Sequence, residues 1–121
     1  GVPTMLTAQA GRHGPYCLVA AVSDDPSIDD DARRRAALRQ QVAEAGERAA
    51  VIFAADKASK TRELRIRLAR ARRFERADRG KIDHYEASLE MLRRQLPGHP
   101  LVDQLATELD ALHALRGGDR S

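Results

Sequence analysis

An all-α fold of about five helices is what this 121-residue sequence predicts, on three observations. The first is composition: there is no Trp, only two Tyr and two Phe, and charged residues make up 32% of the chain. Ala, Leu, Arg, Glu and Gln, which favour helix, supply much of the remainder. The second is spacing. Ile82, Tyr85, Leu89, Leu92 and Leu96 recur at steps of three and four, and Leu101, Leu105, Leu109 and Leu112 repeat the pattern. The third is that no segment alternates apolar and polar residues as a strand would. A chain of this length makes one domain with a single modest core. It shows no solenoid-range repeat.

The elements follow in order. Residues 1–16 carry Pro3, Gly11, Gly14 and Pro15 and read as an irregular segment, with a weak helical patch at Met5–Ala10. Leu18–Val22 reads as the last turns of a helix that Pro15 can begin. Asp25 before Pro26 breaks that helix. Asp29–Asp31 offer a cap and negative charge for a helix from about Asp31 to Ala45, with Leu38 and Val42 on one face. Gly46 stops it. A longer helix is expected over about Glu47–Ala77. Its apolar stripe would run through Val51, Ile52, Ala55, Ala58, Leu64, Leu68 and Ala71, with Arg79-Gly80 as its exit. The helix of Ile82–Leu96 then leads to the Pro-Gly-His-Pro turn at 97–100. The Leu101–Leu112 stripe makes the last helix, before Gly117-Gly118 and a flexible tail at 117–121.

Cys17 is the only cysteine, so an intramolecular disulfide and a CxxC metal knuckle are both excluded. A reduced thiol in a cytoplasmic protein is expected. No apolar stretch approaches the roughly 18 residues of a membrane span. No secretory signal pattern opens the chain, and its Gly-Val-Pro start without Met suggests a processed, tagged or truncated end. Net charge is only +3, but residues 57–81 hold eleven basic against three acidic side chains. Such segregation either focuses a field on an anionic partner or solvates a helix face whose arginines pair elsewhere.

Within VIFAADKASKTREL (51–64), Asp56 stands directly behind two alanines at the end of an apolar run. A buried carboxylate needs a cation, a metal or several donors beside it. Alternatively Asp56 lies at the helix surface and forms an ordinary ion pair with Lys60, four residues on. Spacing leaves both readings open.

The element Ala54-Ala55-Asp56-Lys57, with Arg62 and Leu64 following, resembles the final motif of HD-domain metal phosphohydrolases, above all the alarmone (ppGpp) hydrolases. The stretch from Ala20 through the basic helix into the Asp-Lys helix is similar to that family's layout, as is the pair of helices closing at Leu112. The resemblance covers about residues 17–115. It implies a single, truncated HD-like helical domain corresponding to the family's C-terminal part. It implies that Asp56 is the terminal ligand of one divalent ion, expected to be Mn2+, which activates water and offsets phosphate charge. Lys57, Lys60 and Arg62 would occupy substrate-binding positions, and the ligand would be a guanine nucleotide or another phosphorylated small molecule. Lys60 stands where the family usually has Asn. The upstream His and the His-Asp pair that complete the family's site are missing, since no His-Asp dipeptide occurs here. One carboxylate does not hold a catalytic metal that takes three protein ligands. The chain by itself is therefore expected to be inactive, with no catalytic residue to assign.

Other candidates carry less. His84 beside Asp83 could form an acid–base pair, but Asp83 is expected to face solvent. His99, between Gly98 and Pro100, reads as a loop histidine. Ser23, Ser59 and Ser88 lack a nucleophile elbow, and no Gly-rich phosphate loop is present. Two alternatives to a phosphohydrolase fragment stand. One is a non-catalytic module whose Arg65–Arg79 segment binds an anionic partner; nucleic acid is a weak case of this, because no aromatics are interleaved for stacking. The other is a bundle that dimerises through exposed apolar stripes.

Overall fold

The computed structural model describes residues 22–71 and 73–120. Among them are four helices and no strand: α1 (Asp31–Ala45), α2 (Glu47–Ala71), α3 (Arg76–Gln95) and α4 (Pro100–Arg120). The irregular segment 1–16 and nearly all of the helix expected from Pro15 lie outside the described residues; Val22 itself is in a turn. No described helix is long and apolar enough to cross a membrane. α2 is the hub. It packs on α1, α3 and α4, α3 also touches α1 and α4, and α1 and α4 do not meet.

Local chemistry fixes the helix ends. Asp30 is extended at the start of α1, and Asp31 in the first turn receives the Arg34 guanidinium. At Gly46 the backbone takes φ +104°, a conformation that favours glycine. The turn is so tight that α2 starts one residue after α1 ends, with the Ala50 N–H donating to the Gly46 carbonyl at 3.0 Å. Pro100 occupies the first position of α4. His99 precedes it as a cap, its Nδ1 accepting the Leu101 N–H at 3.1 Å. The loop histidine is thus explained by its hydrogen bond to the helix start.

The core is aliphatic, as composition required. Leu38 and Val42 of α1, Ile82, Tyr85 and Leu92 of α3, and Leu105, Leu109 and Leu112 of α4 are all buried, in the phases their spacing indicated. The stripe of α2 is different. Ala58, Leu64 and Leu68 are buried as expected, but Ile52, Ala55 and Ala71 are exposed. The buried face instead runs through Ala50, Phe53, Ala54, Lys57 and Thr61. Two polar residues can sit on that face because each is satisfied locally. The Thr61 hydroxyl donates to the Lys57 carbonyl at 2.7 Å, and the Lys57 ammonium lies 4.6 Å from the centre of the Phe53 ring. Counting apolar letters alone rotated the stripe away from them.

The junction between α2 and α3 also departs from expectation. The long helix does not reach Ala77, and Arg79-Gly80 is not an exit but lies inside α3. The cause is a reciprocal cap. Glu75 is extended, and its N–H donates to the Asp78 carboxylate at 2.8 Å. Asp78 also receives the Arg67 guanidinium from α2. Burial pushes the Asp78 carboxyl up, but the Glu75 N–H and the Arg67 charge outweigh it and hold the pKa below the ordinary range. A buried carboxylate with these donors is costly to remove. Asp78→Ala should lower unfolding stability by about 1–3 kcal/mol. Replacing the exposed Asp83 by Ala should change it by less than about 0.5 kcal/mol. Urea unfolding of the two variants provides the check.

Candidate functional site

One stripe of α2 does not face the core. At about 100° per residue, Ile52, Asp56, Lys60, Glu63 and Arg67 fall within a narrow arc of the helix. All five line a single cleft of about 710 Å³. Arg34, Arg35 and Leu38 of α1 form a second wall, and Lys81, His84 and Tyr85 of α3 a third; Val22–Asp24 border it as well. The volume falls in the range of small-molecule sites. Six cations line it (Arg34, Arg35, Lys57, Lys60, Arg67 and Lys81) against three carboxylates (Asp24, Asp56 and Glu63).

Asp56 is half exposed on this wall. Its Oδ2 accepts from the Lys57 ammonium at 2.7 Å, and Lys60 lies 3.5 Å away. The nearer partner is therefore the adjacent lysine, not the one a turn on. Burial raises the Asp56 carboxyl, yet the hydrogen bond and charge of Lys57, helped by Lys60, bring it below the ordinary carboxylate range. Lys57 is only 6% exposed. Its burial outweighs the pull of Asp56, so its ammonium loses a proton more readily than a free lysine does.

Among the four residues expected at a site, the structure brings Asp56, Lys57 and Lys60 together on the cleft. Arg62 is exposed and does not line it. The reason is angular: six residues beyond Asp56 the helix has turned about 120° away. A divalent ion does not fit the described residues. No three His, Cys, Asp or Glu among them are grouped to hold one, and the Asp56 oxygen already faces two ammonium groups. No step through a metal is derived from them.

His84 is the residue that sequence reasoning set aside. Asp83 is indeed exposed, but His84 is buried to 6% and forms part of the cleft wall. Its ring meets the edge of Phe53 at a centroid distance of 6.0 Å. The Arg39 Nη1 lies 2.8 Å from its Nδ1. A guanidinium only donates, so Nδ1 accepts and the imidazole proton sits on Nε2. Burial, then the positive charges of Lys57, Arg39, Arg35 and Lys60, push the His84 pKa down to about 3. Arg39 is itself held below its ordinary range by burial and by Arg35. The cleft is thus positive at its floor, and the histidine answers by staying neutral.

The large apolar side chains left exposed among the described residues are Ile52, on the cleft, and Phe74, which Arg116 covers at 4.1 Å. Comparison with known protein families, curated proteins and solved structures gives no match to this chain.

The Asp56–Lys57 pair has a testable signature. Asp56→Asn leaves a buried ammonium without its anion. Because Asp56 is half exposed to water, the expected loss is near the low end for a broken pair, about 1–2 kcal/mol. Adding Lys57→Met removes the stranded charge and should recover most of it, as a double-mutant cycle by chemical denaturation would read.

Proposed function

We propose that this chain provides a binding cleft for a phosphorylated small molecule and corresponds to the C-terminal part of an HD-type phosphohydrolase. A guanosine polyphosphate of the alarmone kind is the ligand that the resemblance points to. The observation that carries the reading is the cleft itself, where cations outnumber carboxylates two to one around the Asp56–Lys57–Lys60 cluster. Positive groups against low-dielectric walls focus a field that draws an anion in and holds it. Arginine forks and lysine ammonium groups both suit phosphate oxygens, the first by paired hydrogen bonds and the second as point charges.

The chemistry assigned to the chain stops at binding. In the complete family site a divalent ion, expected to be Mn2+, would activate the water and offset phosphate charge. Its remaining ligands would be the His and His-Asp residues that this sequence lacks. Asp56 neutralises Lys57 and Lys60 in part and keeps them in place on the wall, while Lys57 supplies the buried end of the field. The cleft's size of about 710 Å³ suits a small ligand better than a nucleic-acid strand, and the scarcity of aromatic side chains agrees with that.

Calorimetric titration with inorganic pyrophosphate and with guanosine tetraphosphate at low salt tests the reading. Binding should appear for both, and Lys60→Glu should weaken it by about tenfold or more. Arg62→Gln, altered outside the cleft, should leave it within about twofold. No detectable binding at millimolar ligand, or equal losses in the two variants, would overturn the assignment.

A further inference from the structure

Four of the six cations on the cleft already have carboxylate partners. Arg34 pairs with Asp24 at 3.0 Å, Lys57 and Lys60 with Asp56, and Arg67 with Glu75 and Asp78. Arg35 and Lys81 form no close ion pair among the described residues, although Lys81 helps from farther away to hold the Asp78 carboxyl down. The two come from α1 and α3, with His84 on the same side. The Nε2 hydrogen of His84 has no acceptor among the described residues, and Nε2 is not sealed from solvent.

Gly80 supplies an independent sign that this wall is shaped. Glycine in a helix interior costs about 1 kcal/mol relative to alanine. Here a Cβ at position 80 would lie 2.8 Å from the Arg35 Nη1. Without a Cβ at this point of α3, the end of the Arg35 guanidinium can approach the helix closely. Arg35 also raises the cost of charging Arg39 and His84 nearby. Arg35 is partly buried and Lys81 exposed, and neither forms an ion pair among the described residues, so an incoming dianion would give both a close partner.

We propose that Arg35, Lys81 and the Nε2–H of His84 form the seat for a terminal phosphoryl group within the cleft. The inference rests on the cleft reading above and deepens it, because it assigns the anion to the α1–α3 wall instead of the Asp56–Lys57–Lys60 cluster. A phosphoryl group fits better than a carboxylate. It offers three acceptor oxygens to a guanidinium fork, an ammonium and one neutral N–H donor, and its second negative charge matches two unpaired cations. His84 contributes as a fixed neutral donor. Arg39 holds its Nδ1, so the ring cannot turn the lone pair toward the ligand.

The test uses the full 121-residue chain, with inorganic phosphate, pyrophosphate and guanosine diphosphate as separate probes. Similar affinity for all three marks a simple phosphate seat; tighter binding of the nucleotide marks the seat as part of a larger ligand site, and both outcomes support the proposal. Arg35→Gln should weaken pyrophosphate by about tenfold. His84→Leu should weaken it comparably, while His84→Gln, whose amide nitrogen reaches the Nε2 position, should retain most of the binding. Gly80→Ala separates fold from function. It should raise the melting temperature through helix propensity while weakening binding, because the new methyl displaces the guanidinium. If pyrophosphate binds the native chain and Lys60→Glu abolishes binding, yet Arg35→Gln and Gly80→Ala bind as the native chain does, this seat is wrong and the cleft reading survives. If the native chain binds none of the probes, both fall.

Discussion

Positive charge crowded around one neutral imidazole is the constraint on which the rest of this structure turns. His84 sits where α1, α2 and α3 converge, its ring in a T-shaped contact with Phe53 and its Nδ1 held by Arg39. Lys57, Arg35 and Lys60 add to the field, and the ring stays uncharged as a result. Holding so many cations around one buried ring costs stability unless anions or ring faces offset it. The protein offsets part of the cost through Asp56 and the Phe53 face. Among the described residues, Arg35 and Lys81 on the α1–α3 side form no close ion pair, though Asp78 acts on Lys81 from farther away.

That imbalance connects folding to binding. The helix hub is built from small aliphatic contacts, which let α2 turn a mainly polar stripe toward the cleft while Ala50, Phe53 and Ala54 are buried on its other side. An anion bound in the cleft as proposed would bind the folded chain and not the unfolded one, and would stabilise the fold by mass action. Asp56 then serves two ends. It draws the Lys57 pKa back up against the effect of burial, and it pairs with Lys60 as well.

Much of the fold was legible because it is local. The spacing of Leu38 and Val42, of Ile82 through Leu96, and of Leu105 through Leu112 named the buried faces, and Gly46 and Pro100 marked ends. The rotation of α2 was not legible, because its buried face includes Lys57 and Thr61, whose satisfaction depends on the Phe53 ring and on a backbone carbonyl. The α2–α3 break was hidden in Glu75-x-x-Asp78, a reciprocal cap written with a longer acid at its head than the usual Ser or Thr. Asp56, Lys57 and Lys60, named from one short motif, line the cleft together. Arg62, named from the same motif, lies off the cleft because the helix has turned about 120° between it and Asp56. His84 was missed because its partner Arg39 is 45 residues away, a contact that no local pattern records.

Side-chain nitrogen chemical shifts of His84, followed by NMR from pH 8 to pH 4, test the central claim most directly. The account predicts the Nε2–H tautomer at neutral pH, with no protonation of this ring down to about pH 4, consistent with a pKa of about 3. A midpoint near the ordinary histidine value of about 6.5, or a proton found on Nδ1, would contradict it.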